Sequence, residues 1–310
     1  AILRRGFFYL NPTRPDPTRP DPTRPDLVPT RLKINPTRPI DIYWEFVVLL
    51  PCQQPHIGEF AMPRFTKFFS TDSAKAIKAD KYGWLNAINY MAPHSTGGAG
   101  NLCPDSSAGC RALCLGMYSG QAAIVSDLEN GTNATRKSRI AKSQFFMNER
   151  REFMAEMSDH VRAMVRKADR ENKELAVRPN GSTDIAFEYI KGYNGQTLPE
   201  QFPDVQFVDY TKSMKRILNP NRPSNYHLTF SLSETNMDQA IHVLANRKNV
   251  AVVFGDGQPE TFMGHRVIDG TEHDLRHLDP QPVIVGLDPK GSKAKNDTSG
   301  FVVRDYGAGC

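Results

Sequence analysis

Four stretches decide the fold: ELAVRPNGSTD at 174–184, VQFVDYTKS at 205–213, YHLTFSLSETN at 226–236 and VAVVFGDG at 250–257. Each opens with a run rich in Val, Phe, Leu and Tyr and ends in Gly, Ser, Thr, Asp or Asn. Short apolar runs closed by turn residues read as buried strands. Glu174–Arg178, Val205–Tyr210, Tyr226–Leu232 and Val250–Phe254 are therefore expected as strands. Tyr82–Met91 comes before them and Pro282–Leu287 after them. Between them, Met214–Leu218 and Met237–Arg247 read as helix. Residues 134–171 read as strongly helical, because Phe145, Phe146, Phe153, Met157, Val161 and Val165 recur at helical spacing among charged residues. That stripe is expected to be core.

Strands alternating with helices imply parallel pairing through right-handed crossovers. The expected fold class is α/β: a partial or complete β/α barrel, with an open doubly wound sheet as the alternative. In either form, polar residues just after the strands build the site.

Composition sets the class. The chain has 310 residues, 39% hydrophobic and 24% charged, with a formal charge of +5. This is enough apolar material for a sizeable core, and a charge too mild to argue for nucleic acid. Five cysteines in this length do not make a disulfide framework. The longest apolar run, Ile40–Leu50, contains Asp41 and Glu45 and is too short to cross a bilayer. No membrane association is expected, and a cytoplasmic location is.

Residues 12–26 are three copies of Pro-Thr-Arg-Pro-Asp, and Asn-Pro-Thr-Arg-Pro recurs at 35–39. Proline removes amide donors and fixes φ, so this stretch suits polyproline II or disorder. No methionine precedes Met62. The expectation is that 1–61 is read-through upstream of a single α/β domain spanning 62–310, with a cysteine-bearing loop at 92–118.

That loop contains Cys103-Pro-Asp-Ser-Ser-Ala-Gly-Cys110-Arg-Ala-Leu-Cys114. A helical turn would put Cys110 and Cys114 on one face, with Cys103 folding back to join them. Soft thiolates suit iron–sulfur iron or zinc. Three cysteines alone suit a [4Fe–4S] cluster with one open iron. Zinc would need a fourth ligand, for which His94 is placed.

Other strand-end residues are candidates for holding a cofactor. Asn180, Ser182 and Asp184 suit an amino or carboxylate group, with turn and cap roles as the competing reading. Lys212 suits a phosphate or carboxylate. Ser231, Ser233 and Glu234 suit ribose hydroxyls, again with capping as the competitor. The segment holding Asp269, Asp274, Arg276 and Asp279 reads mainly as surface loop. No Gly-x-Ser-x-Gly elbow or His-Glu-x-x-His is present, which removes the usual handles of serine hydrolases and zincins.

From about Met62 to Val303 the chain resembles the gene-product-88-like proteins of bacteriophages and bacteria. Met62-Pro-Arg-Phe, Leu102-Cys-Pro, Gly109-Cys-Arg with Cys114, Arg178-Pro-Asn-Gly-Ser-Thr-Asp-Ile and Asp209-Tyr-Thr-Lys-Ser carry the likeness. The resemblance supports a phage or mobile-element origin but implies no activity. More remotely, three cysteines after a first strand resemble radical S-adenosylmethionine enzymes, which implies a [4Fe–4S] cluster and S-adenosylmethionine. Here the spacing is Cys-x6-Cys-x3-Cys rather than the usual Cys-x3-Cys-x2-Cys, and Leu113 replaces the usual aromatic residue. The leading expectation is an iron–sulfur enzyme of unknown substrate. The alternative is a zinc-stabilised module that binds nucleic acid or protein through the basic helix face Arg136, Lys137, Arg139, Lys142, Arg150 and Arg151.

Overall fold

The computed structural model describes residues 64–305, the side chain of Lys75 apart; the Pro-rich stretch expected at 1–61 lies outside them. The described elements begin with β1 (Phe69–Ser70), α1 (Ala74–Ala79) and β2 (Trp84–Asn89). Then come the helices α2 (Ala108–Ala112), α3 (Leu115–Tyr118), α4 (Ala134–Asn148) and α5 (Arg150–Glu171). The alternating part runs β3 (Glu174–Arg178), α6 (Leu198–Gln201), β4 (Gln206–Thr211), α7 (Met214–Ile217), β5 (Tyr226–Ser231), α8 (Met237–Ala245) and β6 (Val250–Val253). The hairpin β7 (Thr261–Phe262) and β8 (His265–Asp269), then β9 (Ile284–Leu287) and α9 (Gly291–Lys295), complete the set.

The strands form one mixed sheet in the order β1-β2-β3-β4-β5-β6-β9-β8-β7. It is parallel from β2 through β9 to β8, and antiparallel only at its edges, β1 on β2 and β7 on β8. The sheet does not close on itself, so the complete barrel expected from the alternation does not form; an open α/β sheet does.

Register sorts the side chains cleanly. Leu85, Ala87, Leu175, Val177, Phe207, Leu228, Phe230, Val250 and Val252 point to one face and join the main core. The long helices supply its other half. Phe145, Phe146, Phe153, Met157 and Val161 are all buried there, so the Phe/Met stripe is core as its spacing predicts. Phe153 packs edge-on against Phe145 and Phe146, with Phe187 stacked beyond it. Each such ring contributes roughly 1.5–3 kcal/mol of burial.

Residues 134–171 form two helices rather than one. The N-cap Asn133 accepts from the Arg136 amide and starts α4; Asn172, at φ 51, ends α5 in the left-handed conformation that asparagine tolerates. The break falls at Glu149, whose backbone leaves the helical region while its carboxylate pairs with Arg64. No glycine or proline marks it. Among the described residues no helix is long and apolar enough to cross a membrane.

Candidate cofactor site

The loops that follow the parallel strands enclose a cavity of about 970 Å³, lined by all three clustered cysteines together with Ser182, Asp184, Lys212 and Ser231. The chain reaches this edge repeatedly because each strand ends there in a short polar turn.

The cysteine loop is held from two sides. Ser107 caps α2 by accepting from the Cys110 amide, and its hydroxyl donates to Glu234 Oε2 at 2.7 Å. The Gly109 amide donates to Glu234 Oε1 at 2.7 Å. A Cβ at Gly109 would stand 2.7 Å from Ser299 Oγ and 2.8 Å from Glu234 Oε2, so a larger residue here would push on the carboxylate that holds the loop. Glu234 thus positions the loop from outside the cavity lining.

Cys110 and Cys114 do not share one helical turn, contrary to the expectation from their spacing. Helix α2 ends at Ala112, and Cys114 is the N-cap residue of α3. Both still line the cavity, as does Cys103. The Cys103 sulfur accepts the His94 amide at 3.3 Å and lies 3.8 Å from the Ser182 carbonyl. Burial pushes the Cys103 thiol up to about 12 and that of Cys114 up to about 11; neighbouring cysteines add to both, and backbone amides partly offset them. Left alone these are neutral thiols; a bound metal inverts that preference. Among the described residues no group of three or more His, Cys, Asp or Glu stands as one that could hold a metal ion.

The strand-end residues divide into lining and framework. Asn180 is framework: its amide and Nδ2 donate to Asp209 at 2.9 and 2.7 Å, while its Oδ1 accepts from Thr183 Oγ1 and the Ile185 amide. This is the turn-organising role that asparagine's short amide performs. Asp209 is pushed up to about 6 by burial, against the pull of Arg216 and of its bonds to Tyr226 and Asn180. Ser233 is also framework, its amide donating to Asn236 Oδ1.

Ser182 exchanges hydrogen bonds with the backbone of Met91, tying the β3 loop to the end of β2. Asp184 accepts the Lys212 amide at 2.8 Å and pairs with Arg216. Arg216 in turn forks onto both oxygens of buried Glu188 at 2.8 Å. That network fixes the turn carrying Lys212, whose Nζ donates to Ser231 Oγ at 2.7 Å and lies 5.3 Å from the Phe301 ring centroid.

The basic helix side is not a continuous solvated face. Arg136 is buried and donates to the carbonyls of Ala122, Gly131 and Met117; Lys142 is buried against Phe68 and Asn89; Arg139 reaches the Gly116 carbonyl. Only Lys137, Arg150 and Arg151 remain exposed. Arg139 and Lys142 line the cavity, as do Arg178 and Tyr210, which the sequence reading did not single out as site residues. Arg178 bonds Asp274 Oδ2 at 3.1 Å and stacks over Tyr210, whose hydroxyl donates to Asp274 Oδ1 at 3.2 Å. Its signal lay in its position, the last residue of a strand before Pro-Asn-Gly.

Comparison with curated proteins finds no match, and comparison with solved structures finds none either. The family model described as gene product 88 matches residues 67–305, well over half of the chain and the whole of the sheet and cavity, so the protein belongs to the gene product 88 family.

Proposed function

We propose that the cavity is a cofactor and substrate site in which Cys103, Cys110 and Cys114 hold a [4Fe–4S] cluster, and that the protein is a reductive enzyme similar in plan to radical S-adenosylmethionine enzymes. The observation that carries this reading is the convergence of three otherwise unpaired cysteines on one cavity at the carboxyl ends of parallel strands. The sequential order of β2 to β6 further supports viewing the open sheet as a partial β/α barrel, since a doubly wound sheet reverses direction at a switch point.

Three cysteines match the ligand count of a four-iron cluster with one open iron, whereas structural zinc ordinarily takes four protein ligands. When bound, such a cluster supplies single electrons and leaves one iron open to a small ligand.

The chain's own residues do the rest. Amides of His94, Gly116 and Met117 donate to the sulfurs and favour their thiolate forms. Arg139 and Lys212 bring positive charge within electrostatic reach of Cys114. Ser182 and Ser231, with Asp184, present polar atoms along the wall where a cofactor's amino, carboxylate or hydroxyl groups would rest. The alternative zinc-stabilised nucleic-acid module loses the solvated basic face that motivated it.

The test is electron paramagnetic resonance of the anaerobically purified, dithionite-reduced protein, with and without S-adenosylmethionine. A reduced-cluster signal that changes shape when S-adenosylmethionine is added is expected. A cluster signal that ignores it would remove S-adenosylmethionine from the reading, and a sample without iron and sulfide would remove the cluster.

A further inference from the structure

Lys and Arg side chains outnumber Asp along the cavity wall, and no Glu is among them. Several of the acids are already engaged. Asp72 pairs with Lys67, Asp184 with Arg216, and Asp274 bridges Arg178 and Tyr210.

The imbalance is concentrated on α4. Arg139 and Lys142 are i, i+3 neighbours, a spacing at which like charges repel. Neither pairs with a carboxylate among the described residues. Lys142 is only 5% exposed, and its Nζ reaches the Phe68 carbonyl and, at 3.4 Å, Asn89 Oδ1. Arg139 spends one nitrogen on the Gly116 carbonyl, while its Nε is sealed from solvent with no partner. Burial and the charge of Arg139 bring the Lys142 ammonium down to about 8. Lys142 is buried and Arg139 half-buried, with carbonyls and the rings of Phe65, Phe68 and Tyr90 around them but no carboxylate, and such cations are costly to the fold unless something anionic joins them.

Tyr90 links this pair to a third cation. Its ring lies under Arg139 at 4.9 Å, and it is within electrostatic reach of Arg178. The Arg178 guanidinium is held rigidly: Nε donates to the Asn180 carbonyl at 3.2 Å, Nη1 to Asp274, and its plane stacks on Tyr210. Its Nη2 has no partner among the described residues and is not sealed off as a buried atom. A preorganised guanidinium edge open to a cavity is a site for a carboxylate or phosphate.

The thiolates do not absorb all of this charge. Arg139 acts on Cys114, but neither Lys142 nor Arg178 is among the principal groups acting on Cys103 or Cys114.

We propose that Arg139, Lys142 and Arg178 form a seat for the oxyanion, carboxylate or phosphate, of an organic ligand occupying the cavity beside the cysteines. This rests on the reading of the cavity as a ligand site, but not on which metal the cysteines hold.

The test is anaerobic titration calorimetry of the full 310-residue chain with pyrophosphate and with citrate, at fixed ionic strength set by chloride. Saturable binding of one anion per chain is expected, with pyrophosphate marking a phosphate ligand and citrate a carboxylate. Arg178→Gln should weaken it about tenfold or more, the loss expected for one charge-assisted hydrogen bond. Lys142→Met keeps the buried stem and removes the charge, so it should weaken binding while the melting temperature of the free protein holds or rises. Lys137→Gln, on the exposed side of the same helix, should leave binding unchanged. The seat is overturned if neither anion binds beyond the chloride background, or if Lys137→Gln weakens binding as much as Arg178→Gln. Iron and sulfide counted on the same samples keep the two readings apart. Iron-free protein that binds the anion through Arg178 keeps the seat and loses the cluster, whereas iron-loaded protein without anion binding keeps the cluster and loses the seat.

Discussion

The two faces of the sheet are built on opposite principles although they alternate along the same strands. On β5, Tyr226, Leu228 and Phe230 turn toward the helices and join the main core, while His227, Thr229 and Ser231 turn the other way. On β2, Leu85 and Ala87 face the helices, and Trp84, Asn86 and Ile88 face away. The second face is covered as well, by the segment around Leu275 and Arg276, though Trp84, His227 and Ser231 stay half-buried; Leu275 packs on Ala176 and Trp84, and Trp84 meets His277 edge-on. Parallel sheets covered on both faces ordinarily read apolar on both. Here one face keeps polar groups that its own fold does not satisfy: both side-chain polar atoms of Asn86, Thr229 Oγ1 and His227 Nε2 are buried without partners. The lesson is a division of labour, in which the helix face carries stability and the other face leads up to the cavity.

The comparison breaks most visibly if the helix face proves soft. Phe153→Ala, at the centre of the aromatic cluster, is expected to cost about 3–5 kcal/mol in denaturant unfolding. A loss under about 1 kcal/mol would mean that the core lies elsewhere. On β5 itself, Leu228→Ala is expected to cost about 2–5 kcal/mol by the same measurement.

The other face should respond to pH. Burial holds the His227 imidazole down to about 3, against an ordinary 6.5, so the folded chain refuses a proton that the unfolded chain accepts. Its contribution is present above 6.5 and is lost as pH falls from there toward 3. The slope approaches 1.4 kcal/mol per pH unit, about one proton's worth. Asp209 opposes it, because its carboxyl, raised from 3.8 to about 6, takes up a proton in the folded protein first; its help is full below 3.8 and lost as pH rises through 6. His227→Phe should therefore flatten the stability profile below pH 6.5 by up to about that one-proton slope. An unchanged profile would put the imidazole in water. The smallest effect sharpens the contrast best: Thr229→Val removes a hydroxyl with no partner and should be neutral or stabilising within about 1 kcal/mol. A cost of several kcal/mol would show that this hydroxyl holds something.

Much of this was legible in the sequence, and what was not has physical causes. Strands β2 to β6 and β9 announce themselves because buried runs of Val, Phe and Leu end in turn residues. The hairpin β7–β8 does not, since Thr261–Phe262 and His265–Asp269 are at most half-buried and carry no strong alternation. Closure of the sheet depends on strand tilt and stagger, which alternation alone does not encode. That Cys103, Cys110 and Cys114 lie close together was readable from spacing, and that Ser182, Asp184, Lys212 and Ser231 sit at the strand ends from their place in the chain; all seven line the cavity. The framework roles of Asn180, Ser233 and Glu234 depend on partners distant in sequence, such as Asp209 for Asn180 and the Gly109 amide for Glu234. Arg139 and Lys142 misled because charged residues at helical spacing usually face water; only the packing of α4 against the loop at Gly116 and against β1 turns them inward.

The most direct measurement is iron, acid-labile sulfide and zinc per chain in anaerobically purified protein, beside Cys103→Ser, Cys110→Ser and Cys114→Ser. The account predicts about four iron and four sulfide per chain with a broad visible absorbance, lost when any one of the three cysteines is replaced. About one zinc per chain, no colour and no iron would contradict it, and would make the cysteines a structural staple.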